Sequence, residues 1–112
     1  MSLAVAEAQK RFPSGQVTQM PHNNPGFDIL VHLSDGSRRY IEVKGTTLAI
    51  ARFFLSEGER RFSTDHAEVY SLWVFHSIDL EARLGVMVEK DGAVSDAAGV
   101  TLTPAQWIGV LG

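Results

Sequence analysis

Between Phe27 and Leu33 the side chains alternate: Phe27, Ile29, Val31 and Leu33 are apolar, with Asp28, Leu30 and His32 between them. A period of two is the signature of a β-strand with two distinct faces, because successive side chains leave opposite sides of the backbone. Ser34-Asp35-Gly36-Ser37 then reads as a turn, and Arg39 to Lys44 as a second strand. So short a connection predicts an antiparallel hairpin.

The register of that hairpin depends on the turn. A two-residue loop at Asp35-Gly36 puts Val43 opposite Asp28. A three-residue loop over Ser34-Asp35-Gly36, with Gly36 left-handed, pairs residues 33 and 37 and sets Asp28 across from Glu42; Gly36 suits either class. The apolar faces favour the second. In that register Phe27, Ile29, Val31 and Leu33 share a face with Ile41 and Val43, while Asp28, Leu30 and His32 share the other with Tyr40, Glu42 and Lys44. The shorter loop scatters charges over the apolar face, against the segregation that burial demands.

Around the hairpin, a helix is expected over Leu3 to Arg11, capped by Ser2 and stopped by Pro13-Ser14-Gly15. Gln16 to Met20 reads as a short strand and Pro21 to Pro25 as a polar loop. Leu48 to Phe54 fits either a strand or a loop. Ser56-Glu57-Gly58-Glu59 has the form of a capping box opening a helix that runs to about His66. Tyr70 to His76 is a nearly continuous apolar run, as in a strand covered on both faces. Leu84 to Glu89 is a further strand, ended by Asp91-Gly92, and Thr103-Pro104 opens a last short helix carrying Trp107. This order predicts one α/β domain with a mixed β-sheet flanked by helices.

Composition narrows the function. The chain has 112 residues, 45% hydrophobic and 21% charged, which suits a single globular core. It has no cysteine, which excludes disulfides, thiolate metal sites and a cysteine nucleophile, and fits a cytoplasmic location. No membrane partner is expected, since no apolar stretch approaches a span. The net charge of −3 lacks the basic excess that coats phosphates, so any nucleic-acid function rests on a local site. The four histidines are scattered without zinc-ligand spacing.

Asp28, Glu42 and Lys44 supply such a site. Glu42 and Lys44 are two apart on one strand, so their side chains leave the same face, roughly 6.5–7 Å apart along the backbone. Carboxylates opposed across a strand pair repel, and persist if they share a proton, bind a cation or lie beside an ammonium. Two such oxygen donors suit Mg²⁺ or Mn²⁺, which polarises a phosphodiester and lowers the pKa of bound water. Lys44 is then placed to position that water or stabilise developing charge.

Pro25-Gly26-Phe27-Asp28 followed by Glu42-Val43-Lys44-Gly45-Thr46 resembles the Asp…Glu-x-Lys signature of the PD-(D/E)XK nuclease superfamily, with the proline three residues before the aspartate rather than adjacent to it. More closely, Asn24 to Ile29, Tyr40 to Thr46, Phe54 to Glu59 and Tyr70 to Phe75 resemble the NO VEIN C-terminal type of domain, a module found at the end of larger proteins that include restriction and defence ATPases. The resemblance implies a restriction-endonuclease-like α/β fold and a Mg²⁺- or Mn²⁺-dependent nuclease acting on nucleic acid, DNA in the first instance. It also implies other domains of a larger protein as partners, with a dimer favoured if both strands of a duplex are cut. Asp28 and Glu42 become metal ligands together with the backbone carbonyl of Val43, Lys44 the catalytic lysine, and Glu7, the one acid on the first helix, a further ligand.

Two other readings compete. A non-catalytic module that binds nucleic acid or protein within a larger restriction or defence protein keeps the fold and loses the chemistry. A plain cross-strand ion pair on a solvated face contributes only about 0–1 kcal/mol and no function. Glu59 reads mainly as a capping residue by its spacing, with a role in the site as the lesser reading. His22, Asn23 and Asn24, and Arg38, Arg39, Arg52, Arg60 and Arg61, are candidate phosphate contacts that an ordinary polar surface explains as well. Trp73 and Phe75 are expected in the core.

Overall fold

The structure, a computed structural model, describes residues 1–21, 24, 26–95, 100–102 and 110–111. His22, Asn23 and the expected helix at Thr103 to Trp107 lie outside these residues. Helix α1 spans Ser2–Arg11, strands β1 Gln16–Gln19, β2 Ile29–His32 and β3 Arg38–Gly45, helix α2 Glu57–Asp65, and strands β4 Tyr70–Asp79 and β5 Leu84–Asp91. The strands form one sheet in the order β1-β2-β3-β4-β5. Neighbours are antiparallel except β3 and β4, which are parallel. A parallel pair needs a long crossover, and α2 with its flanking segments supplies it. The class is therefore α/β; the described residues form a mixed five-stranded sheet with two α-helices.

The helices cover opposite faces. Ala4 and Ala8 bring α1 against Ile29, Val31, Ile41, Trp73 and Phe75. Small residues at this contact let the helix axis approach the sheet closely. On the other face Tyr70, Leu72, Val74 and Val94 form a second cluster, over which Phe62 of α2 and Tyr40 pack. Strand β4 lies between the two layers, so six successive residues from Tyr70 to Phe75 are buried. That double burial accounts for the apolar run in the sequence.

The hairpin takes the three-residue loop. Ile29 pairs with Ile41 and His32 with Arg38, and the Leu33 N–H donates to the Ser37 carbonyl at 2.9 Å, with Gly36 at φ 86°. Two expectations need correcting. Helix α1 is capped by Met1 without a side-chain bond, and Ser2 is already its first helical residue. Strand β2 begins at Ile29, not Phe27. Gly26 turns the chain at φ 95°, where a Cβ would come within 2.6 Å of the Phe62 ring. Phe27 is thereby carried off the face it was expected to share with Ile29 and stacks on Tyr40 and Phe62 at centroid distances of 4.7 and 5.2 Å. Leu48 to Phe54 forms no regular element.

Candidate active site

Where β2 leaves β3, the backbone ladder is completed by a side chain. The Asp28 N–H donates to the Ile41 carbonyl at 2.8 Å, and the Asp28 carboxylate accepts the Val43 N–H through Oδ2, also at 2.8 Å. Asp28 thus sits at the fork between the strands, held by β3 itself. Glu42 follows on the α2-facing side of β3 and is only 3% exposed. Its charge interacts with that of Asp28, which places the two carboxyl groups in one electrostatic neighbourhood. Lys44 Nζ lies 3.1 Å from Glu42 Oε2.

A fourth residue completes the cluster. Glu59, at the third position of α2, accepts from Lys44 Nζ through both oxygens, at 3.0 and 3.1 Å. It performs its capping role as well: its Oε1 accepts the Ser56 N–H at 2.8 Å while the Ser56 hydroxyl accepts the Glu59 N–H. The capping spacing was legible in the sequence. That it would aim the same carboxylate at Lys44 was not, because this depends on where the crossover sets α2 down on the sheet.

The cluster is charge-frustrated, with carboxyl groups from Asp28, Glu42 and Glu59 around one ammonium. Burial above all pushes Glu42 up to about 9, helped by its hydrogen bond to Glu59 and the charges of Asp28 and Glu59, and opposed by Lys44. Burial also pushes Glu59 up, but bonds from Glu42, the Ser56 N–H and Lys44 outweigh it and hold that carboxyl down at about 2. The shared proton therefore resides on Glu42, the more deeply buried partner. The 3.1 Å contact from Lys44 to Glu42 is then a hydrogen bond to a neutral acid, and the ion pair is with Glu59. Burial opposes the charge of Lys44, yet Glu59 and Glu42 together hold its pKa above the ordinary lysine value.

Glu7 is not brought to this cluster. It lies on α1, which covers the opposite face, and its carboxylate pairs with Arg11 at 3.2 Å. Arg11 in turn bridges to Glu89, the acceptor of the Trp73 indole N–H. The arginines divide in the same way: Arg60 and Arg61 pair with Glu57, and Arg39 donates to the Ser71 hydroxyl. Arg38 is exposed, and Arg52 lies over the Phe54 ring. Trp73 and Phe75 are core residues.

A divalent cation is suited to this site in the chemistry of its donors and the excess of carboxyl groups over cations, which a proton on Glu42 now offsets. The side-chain donors are few: among the described residues no group of three or more histidine, aspartate or glutamate side chains is set to hold a metal.

Residues 2–84 match the family described as Protein NO VEIN, C-terminal. The chain belongs to this family. The match spans both helices and β1 to β4 and reaches the first residue of β5, so every residue of the cluster lies inside the family region. No curated protein and no solved structure matches the chain. Among the described residues no helix is long and apolar enough to cross a membrane.

Proposed function

We propose that this NO VEIN C-terminal domain is a metal-dependent phosphodiesterase of the PD-(D/E)XK, restriction-endonuclease-like type, hydrolysing nucleic acid and DNA in the first instance. The observation that carries the reading is the meeting of Asp28, Glu42 and Lys44 at the fork of β2 and β3, on one mixed sheet between two helices. Asp28, Glu42 and the Val43 carbonyl would hold Mg²⁺ or Mn²⁺, whose chemistry is to polarise the phosphodiester and acidify a bound water. Asp28 is oriented by the Val43 N–H, which bonds its Oδ2, so Oδ1 would be the oxygen offered to the cation. Lys44, steered by Glu59, supplies positive charge for the phosphoryl oxygens and orients the attacking water. Hydrolysis forms one bond from the water oxygen to phosphorus and breaks the bond to the leaving sugar oxygen, which ends protonated.

Calorimetric titration with Mn²⁺ tests the site, and plasmid or oligonucleotide cleavage tests the chemistry. Weak Mn²⁺ binding lost in Asp28→Ala, with cleavage lost in Lys44→Ala while binding is kept, is the expected pattern. Equal Mn²⁺ binding by wild type and Asp28→Ala would end the metal reading.

One observation favours a second reading, a non-catalytic binding or assembly module of a larger protein: Lys44, Glu42 and Glu59 already satisfy one another. It predicts no cleavage with either metal on any nucleic acid, and association with a partner domain. Paired cuts in a duplex, if found, would point to a dimer.

A further inference from the structure

The segment between β3 and α2 begins next to Lys44 and ends at Ser56, the cap that holds Glu59. Its odd-numbered residues Ala51, Phe53 and Leu55 pack against the second core cluster. Its even-numbered residues face outward: Leu48 is 46%, Ile50 65% and Phe54 67% exposed. Arg52, also exposed, holds its guanidinium 5.5 Å from the Phe54 ring centroid, and among the described residues it pairs with no carboxylate. Arg11, Arg39, Arg60 and Arg61 have such partners, whereas Arg38 at the start of β3 is, like Arg52, exposed without one among the described residues. A cleft of about 220 Å³ opens here, lined by Gly45, Thr46, Leu48, Arg52, Phe53 and Phe54.

We propose that this cleft is a nucleotide-binding subsite for unpaired nucleic acid, in which a base stacks on Phe54 and the adjoining phosphate is met by Arg52. The proposal rests on the phosphodiesterase reading and deepens it by naming the substrate class, single-stranded or frayed strands. An exposed aromatic ring beside a cation is the unit by which unpaired bases are held without sequence preference. A base inside a duplex has no free π-face to offer it. With a net charge of −3 the chain cannot rely on a diffuse positive field, so stacking and one or two placed cations must carry the contact. The cleft also borders Gly45, the residue after Lys44 on β3.

The test is fluorescence anisotropy with fluorescein-labelled 12-nucleotide single strands of DNA and RNA and a DNA duplex, at low salt with EDTA so that cleavage plays no part. Wild type should bind the single strands more tightly than the duplex. Phe54→Ala should weaken single-strand binding roughly 5- to 150-fold, the worth of one stacked base. Phe54→Trp should restore binding and show fluorescence quenching on stacking. Arg52→Ala should weaken binding and flatten its salt dependence. Since Phe54 is outside the core, an unchanged urea midpoint for Phe54→Ala shows that folding is not the cause. Wild-type affinity in Phe54→Ala, or no single-strand binding by the wild type, would overturn the proposal; the former would be expected of a surface that receives a protein partner. Binding that persists in EDTA without any cleavage in Mg²⁺ or Mn²⁺ sinks only the hydrolytic reading, and cleavage with unchanged KM in Phe54→Ala sinks only this one.

Discussion

Glu42→Gln isolates the proton at the centre of the cluster. The carboxyl is 3% exposed and its pKa is raised from 4.5 to about 9. Glutamine keeps the shape, donates towards Glu59 as the protonated acid does, and still accepts from Lys44. In the wild type the folded state retains a proton that the unfolded chain releases above pH 4.5. The contribution of Glu42 is thus complete below that pH and is lost steadily up to about pH 9. At about 1.4 kcal/mol per pH unit the loss is on the order of 3 kcal/mol at pH 7 and 5 kcal/mol at pH 8.5. Glu59 acts in the opposite sense and lower down: its contribution is present above 4.5 and lost as pH falls towards 2, which leaves pH 5.5–8.5 unaffected. The variant has no proton to lose at this position. Its stability relative to wild type should therefore rise by about 1.4 kcal/mol per pH unit across that interval. Urea unfolding at pH 5.5, 7 and 8.5 in EDTA, followed by the fluorescence of buried Trp73, measures this slope. Groups remote from Glu42 cancel in the difference, Glu59 and Lys44 titrate outside the interval, and the absolute offset, set by how well the amide fits, does not enter the slope. Stability curves for wild type and variant that run parallel with pH would refute the assignment of the proton to Glu42.

Three further outcomes can be checked by the same unfolding assay. Asp28→Ala leaves the Val43 N–H without its acceptor and should cost about 1–3 kcal/mol, whereas Asp28→Asn keeps an acceptor oxygen and should cost less than half of that; equal costs would mean the bond contributes nothing. Ser63→Ala removes a buried hydroxyl that donates to the Arg60 carbonyl and accepts the Val94 N–H, and should destabilise by about 1–3 kcal/mol, with near-zero change counting against that link. Ser56→Ala breaks the capping box and should cost about 1 kcal/mol. If Glu59 is steered by the cap, it should also raise the reactivity of Lys44 towards an amine-directed reagent, read by peptide mass spectrometry; unchanged reactivity would show that Glu59 needs no cap to reach the lysine.

The hairpin and its register were legible in the chain because both rest on local rules: a period-2 pattern that must put apolar groups on one face, and a glycine where the turn needs positive φ. The capping box of α2 and the double burial of β4 were legible for the same kind of reason. Phe27 escaped the pattern, since alternation assumes that the strand continues, whereas the chain bends at Gly26, where the Phe62 ring leaves no room for a Cβ. The meeting of Glu59 with Lys44 joins residues 15 apart through the docking of α2, and no local spacing encodes that distance. The separation of Glu7 from the site has the same origin, because which face a helix covers is settled by the sheet it packs on. Residue types and their order determined the strands, the pairing of β2 with β3 and the donors available for chemistry. Burial and the approach of distant elements decided which carboxyl keeps its proton and which side chains of the β3–α2 segment are left facing solvent.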